Sequence, residues 1–192
     1  KGHGASEIPD SDFTIAGFAE EVIAFLDQNN IEKISIFGYS MGGYVGLYLA
    51  KNFPEKVEKL FTLATKWDWT KENAIRESKM LNSTLIKEKV PKYANSLATL
   101  HGDNWETLMQ KTAEMMLNLG ANPTLNKDNL TEIETPTIVA VGDKDIMVSI
   151  EETVMVYRSL PNAQLLVMPN TAHPIERINT ALLAYQIRNY FL

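Results

Sequence analysis

The sequence contains no cysteine. That excludes disulfides, thiolate nucleophiles and cysteine-held metals, and it suits the cytoplasm, the compartment expected here. It also lacks a cationic run: 18 Lys and Arg stand against 24 Asp and Glu, a net charge of −6. Phosphate backbones and anionic membranes attract clustered cations, so neither nucleic acid nor membrane is an expected partner. No apolar stretch is long enough to cross a bilayer. No Gly-x-Gly-x-x-Gly follows a strand pattern, and no His-x-x-x-His or carboxylate cluster occurs. No cofactor and no metal are therefore expected, and chemistry by side chains alone is the economical reading.

What remains is an ordinary globular balance, 45 % hydrophobic and 22 % charged over 192 residues, enough for a domain with a sizeable core. Apolar residues at helical spacing predict a helix over 14–30, with Asp12 as its N-cap and Asn29-Asn30 as its stop. Short β-branched or apolar runs predict strands at 33–37, 60–64, 137–141 and 164–168. Helices are predicted over 42–52, 151–160 and 174–192, the last with Pro174 in its first turn. Alternating helices and nearly continuous apolar strands indicate an α/β fold, a mostly parallel sheet flanked by helices. Residues 66–132 break the alternation, helical throughout with no good strand. They read as a helical cap inserted between two strands, which leaves 1–65 and 133–192 as the core.

Gly38-Tyr39-Ser40-Met41-Gly42 matches Gly-x-Ser-x-Gly and falls between a predicted strand and a predicted helix. That context puts the Ser40 hydroxyl on a strained turn above the sheet, where it can act as a nucleophile. The flanking glycines are expected to be steric requirements, and Gly43 adds a small residue where helix meets sheet. The Met41 backbone amide, at the start of that helix, is the expected oxyanion donor. A serine needs a base, commonly His held by a carboxylate. Of the three histidines, His3 precedes the serine and His101 lies in the insertion, so His173, in the loop after the fourth strand, is the expected base. The acid is expected after the third strand. Asp145 fits Gly142-x-x-Asp145, Asp143 reads as a solvated turn residue paired with Lys144, and Asp68, between Trp67 and Trp69, is a rival. Tyr39, Trp67, Trp69 and His101 are the candidate substrate contacts. For His101 a structural role is the competing reading.

These motifs, together with Gly4-Ala5-Ser6, the stretch from Phe53 to Val57 and Asn170-x-x-His173, resemble the α/β-hydrolase superfamily, and most of all its small, capped bacterial esterase-like members. The resemblance spans the chain except the insertion. It implies an eight-stranded sheet, a Ser-Asp-His triad of Ser40, Asp145 and His173, and a cap that shapes the substrate pocket. It also implies four strands before a Gly-rich oxyanion loop, whereas this chain opens in that loop at Gly2-His3-Gly4. The expectation is a core without its first strands, with the strand at 33–37 as an edge and Met41 as the remaining oxyanion donor. The expected activity is hydrolysis of a small carboxylic ester, lactone or thioester through an acyl-enzyme on Ser40. The expected partner is that small ester-like molecule, with a homo-oligomer left open. Two other readings stand beside it: a lyase or carbon–carbon hydrolase using the triad as base, and a ligand sensor on a hydrolase scaffold.

Overall fold

The computed structural model describes residues 1–192. In chain order the elements are α1 (Ile15–Gln28), β1 (Ile34–Tyr39), α2 (Met41–Asn52), β2 (Val57–Leu63), α3 (Lys71–Lys79), α4 (Ser83–Lys89), α5 (Pro91–His101), α6 (Trp105–Ala121), α7 (Lys127–Leu130), β3 (Thr137–Gly142), α8 (Ile150–Ser159), β4 (Ala163–Met168) and α9 (Thr180–Phe191). The chain forms two compact units, Lys1–Glu21 with Trp69–Thr124, and Val22–Asp68 with Leu125–Leu192. Residues 1–21 thus group with the helical stretch, while 66–68 and 125–132 group with the sheet.

The sheet has four parallel strands in the order β1-β2-β3-β4. β2 and β3 lie in the middle, and their side chains from Leu60 to Leu63 and from Thr137 to Gly142 are almost wholly buried. That burial explains why these segments carry apolar runs rather than alternation. Side chains alternate between the faces of a strand. Phe37 pairs in register with Phe61, and both pack with Ile138, Met168, Ile178, Leu183 and the aromatic end of α9 on one face. Ile36 pairs with Leu60 on the other face, where Gly46 of α2 lies against Leu60. Helices therefore cover both faces, and burial of each large core side chain contributes roughly 1.5–3 kcal/mol.

Helix ends follow local chemistry, with two departures from expectation. The residue capping α1 is Thr14, not Asp12: its Oγ1 accepts the Gly17 amide at 2.9 Å, three residues on, the reach an N-cap needs. The stop lies where expected, with Asn30 at φ 53° and the Ile31 amide bonded to Leu26 at 2.9 Å. The terminal helix does not begin at Pro174. That residue leads a 3-10 turn, Ile175–Arg177; Ile178 then extends into the core, and α9 starts after Asn179. The Asn179 side chain accepts the Leu182 amide at 3.1 Å, a stronger start signal than the proline. In the helical unit, Thr70 and Asn82 cap α3 and α4, and Gly120 lets α6 pack against Ala74 of α3. Residues 1–21 join this unit through His3, whose ring lies near Phe13, Phe18 and His101, and through Lys111, which donates to the Asp10 and Ser11 carbonyls.

Candidate active site

β1 ends at Tyr39 and α2 begins at Met41, so Ser40 alone makes the turn. It does so at φ 50° and ψ −118°, a conformation that costs a non-glycine residue about 1–3 kcal/mol. Two bonds hold it. The Ser40 amide donates to the Leu63 carbonyl at the end of β2 at 2.8 Å, and the Ser40 carbonyl accepts the Gly43 amide at 3.1 Å. A Cβ at Gly38 would stand 2.5 Å from the Gly42 carbonyl oxygen, and one at Gly43 would run into Thr65 Oγ1. At Gly42 it would meet nothing within 4 Å. The expected steric requirement therefore holds for Gly38 but falls on Gly43 rather than Gly42, because Gly43 is the position of α2 that faces β2. Met41 is the first residue of α2, so its amide has no intrahelical acceptor and lies at the positive end of the helix dipole.

Asp145 and His173 meet. His173 Nδ1 lies 2.8 Å from Asp145 Oδ2, with the Asp145 side chain fully buried and that of His173 12 % exposed. The second carboxylate oxygen accepts the amides of Met147 at 2.8 Å and Val148 at 2.9 Å. With an ionised carboxylate at Nδ1, the proton sits on Nδ1 and Nε2 is left as the basic nitrogen. Burial pushes the Asp145 carboxyl up, but the bond from His173, the two amides and the histidine's charge outweigh it and hold Asp145 below the ordinary carboxylate range.

The loop carrying His173 is fastened at several points. Asn170, at φ 50°, turns the chain after β4. The Thr171 amide then donates to Asp143 Oδ1 at 3.1 Å, and the Thr171 carbonyl accepts the Lys144 amide at 3.0 Å. A side chain at Gly142 would collide with that carbonyl. Asp143 is the exposed turn residue expected, but its partner is not Lys144; the Thr171 amide takes its carboxylate. Tyr39 Oη donates to the His173 carbonyl at 2.7 Å, and the two rings lie 5.5 Å apart.

After β2, Trp67 is buried and stacks on Tyr44 at 5.7 Å. The amides of Trp67 and Asp68 donate to Glu152 Oε2 at 3.2 Å and 2.9 Å, so the rival acid hangs from Glu152 by its backbone while His173 bonds Asp145. Trp69 and His101 belong to the helical unit. Trp69 Nε1 is buried without a hydrogen-bond partner. His101 Nδ1 accepts the Gly4 amide at 2.9 Å, and burial, followed by the charge of His3, holds its pKa below the usual histidine value. Sequence reasoning missed Lys66 and Glu152. Glu152 was legible as the last residue of the capping box Ser149-x-x-Glu152, which the structure forms. Nothing in the sequence marked Lys66.

A serine on a strained turn between strand and helix, with a carboxylate and a histidine bonded to each other beyond two later strands, is an arrangement typical of one fold class. The profile of the alpha/beta hydrolase fold matches residues 1–97, just over half of the chain. The protein belongs to that family: it is an α/β-hydrolase. Among its relatives, RutD of Serratia proteamaculans, provisionally named a carbamate hydrolase, is 26 % identical over 209 residues, covering 94 % of this chain and 75 % of RutD. The 3-oxoadipate enol-lactonase 2 of Acinetobacter baylyi is 38 % identical over 65 residues, 34 % of this chain and 24 % of that one. A thermophilic esterase from Thermogutta terrifontis has the same fold, with a TM-score of 0.74 at 20 % identity over 99 % of this chain and 76 % of the esterase. No helix is long and apolar enough to cross a membrane.

Proposed function

We propose that this protein hydrolyses a small acyl compound, a carboxylic ester, lactone or thioester, through an acyl-enzyme on Ser40. The observation that carries the reading is the 2.8 Å bond between His173 Nδ1 and a fully buried Asp145 carboxylate, on the loop that Tyr39, the neighbour of Ser40, holds by its hydroxyl. Asp145 fixes the histidine tautomer and stabilises the imidazolium. His173 Nε2 takes the proton of Ser40 Oγ as that oxygen bonds to the acyl carbon, and the Met41 amide stabilises the developing oxyanion. The tetrahedral intermediate collapses, the bond to the leaving group breaks, and His173 returns the proton to it. Water then attacks the acyl-enzyme with His173 again as base, which frees the acid and restores Ser40. The relatives' names support the substrate class: a carbamate and an enol-lactone both present an acyl carbonyl to a nucleophile.

The test is covalent. A fluorescent serine-reactive phosphonate should add once to the protein, by intact mass, and not at all to Ser40→Ala. Labelling that survives in Ser40→Ala would place the nucleophile elsewhere. Labelling without turnover of aryl esters, lactones or thioesters would point instead to the triad acting as a base in a lyase reaction.

A further inference from the structure

We infer that Tyr39 is a positioning residue for the base: its hydroxyl ties the His173 main chain to the strand end that carries Ser40, and so sets how far the base stands from the proposed nucleophile. The inference rests on the assignment of Ser40 and His173 proposed above. From the sequence, Tyr39 is a candidate substrate contact. The structure gives the side chain another employment. Tyr39 is the last residue of β1 and lies on the same face as Phe37, packed against the cluster of Phe61, Leu63, Met168 and Leu183. The ring is thus seated in the core, and its Oη reaches the His173 carbonyl at 2.7 Å.

That bond completes a frame. The His173 loop turns at Asn170 through a left-handed residue, which by itself is strained and free to relax. Thr171 is pinned on both its amide and its carbonyl to Asp143 and Lys144, just beyond the C-terminal end of β3. The His173 ring is pinned to Asp145, also beyond β3. All three bonds tie the loop to the acid's side of the sheet. The Tyr39 bond ties it to the nucleophile's side, and it does so from the residue covalently joined to Ser40. Without it, His173 stays oriented towards Asp145 while its distance to Ser40 is left to looser packing. Misplacement of a base by a fraction of an ångström lowers the rate of the chemical step without changing how substrate binds.

Tyr39→Phe keeps the seated ring and removes the donor. The loss of one such bond should lower kcat about three- to tenfold, with KM and the thermal midpoint close to wild type. A readout independent of turnover is the downfield proton resonance of His173 Nδ1 in the bond to Asp145. In Tyr39→Phe it should remain but exchange faster with water, because the ring is held by Asp145 while its backbone anchor is gone. Rate of phosphonate addition to Ser40 should fall in step with kcat. Unchanged kcat with an unchanged resonance would overturn the inference, and so would a KM effect alone, which would return Tyr39 to the role of substrate contact. If wild type shows the resonance but no phosphonate adduct, the hydrolytic reading fails, and the exchange rate in Tyr39→Phe still decides the role of Tyr39.

Discussion

Lys66 Nζ lies 3.1 Å and 3.2 Å from the two carboxylate oxygens of Glu152, and the pair is largely buried, with side-chain exposures of 15 % and 6 %. The same carboxylate takes the amides of Trp67, Asp68 and Ser149. One side chain therefore fastens the chain leaving β2 to the start of α8, immediately after the loop that carries Asp145. Isolated buried ion pairs add little net stability, but removing one partner strands the other charge.

Glu152→Ala should for that reason lower the unfolding free energy by about 3–5 kcal/mol, read from urea denaturation followed by tryptophan fluorescence. The double variant Lys66→Met, Glu152→Leu removes both charges and should recover part of the loss, though not all, because three backbone amides still lack their acceptor. A single variant within about 0.5 kcal/mol of wild type, the range of an ordinary surface change, would mean that the brace is energetically idle.

Acid stability should depend on Asp145. Its folded carboxyl titrates below the ordinary range, so the folded state binds this proton less readily than the unfolded state does. The contribution is complete above the unfolded value of about 3.9 and fades as pH falls through it towards the depressed folded value. The urea midpoint of wild type should fall more steeply than that of Asp145→Asn between about pH 5 and 3. Parallel curves would show that the bonds to His173, Met147 and Val148 do not favour the charged form. The same variant, with its histidine held in the wrong tautomer, should lose about 10³–10⁴-fold in kcat towards any substrate found.

Gly42→Ala and Gly43→Ala should behave oppositely although they are adjacent. A Cβ at Gly42 enters open space, and alanine is the better helix former, so stability should be unchanged or rise by up to about 1 kcal/mol. At Gly43 it meets Thr65 and Thr62 of the β2 end, so helix and strand must part at a cost of about 1–3 kcal/mol. Moving α2 shifts the Met41 amide and the Ser40 turn with it, so activity should fall beyond what unfolding explains. Equal thermal midpoints for the two variants would refute the distinction.

Much of this architecture could be read from sequence. Strands at 33–37, 60–64, 137–141 and 164–168 lie within or one residue beyond the observed β1, β2, β3 and β4; the continuous apolar runs of β2 and β3 match their burial on both faces, whereas β1 and β4, at the sheet edges, carry similar runs although their side chains are only partly covered. Asp145 and His173 were legible through chain order, and the structure joins them. Two readings failed for one shared reason: they depended on a partner distant in sequence. Asp143 was given its neighbour Lys144, but the Thr171 amide takes it. Gly42 was given the steric role that belongs to Gly43, since which helix face meets β2 depends on the phase of α2. The first residues form the loop expected there, and their grouping with the helices of 69–124 arises from rings and carbonyls that no local pattern records.

The strands pair in the order in which they occur in the chain, which gives the proposed chemistry a timetable. During synthesis, Ser40 acquires its strained turn once β2 supplies the Leu63 carbonyl. Asp145 arrives only after the long helical stretch and β3, and His173 only after β4. Until residue 173 has been made, the proposed nucleophile would have no base to awaken it. A polypeptide that stops short of residue 173 would be inert however well its early part had folded, and reactivity would be switched on by the arrival of the last strand.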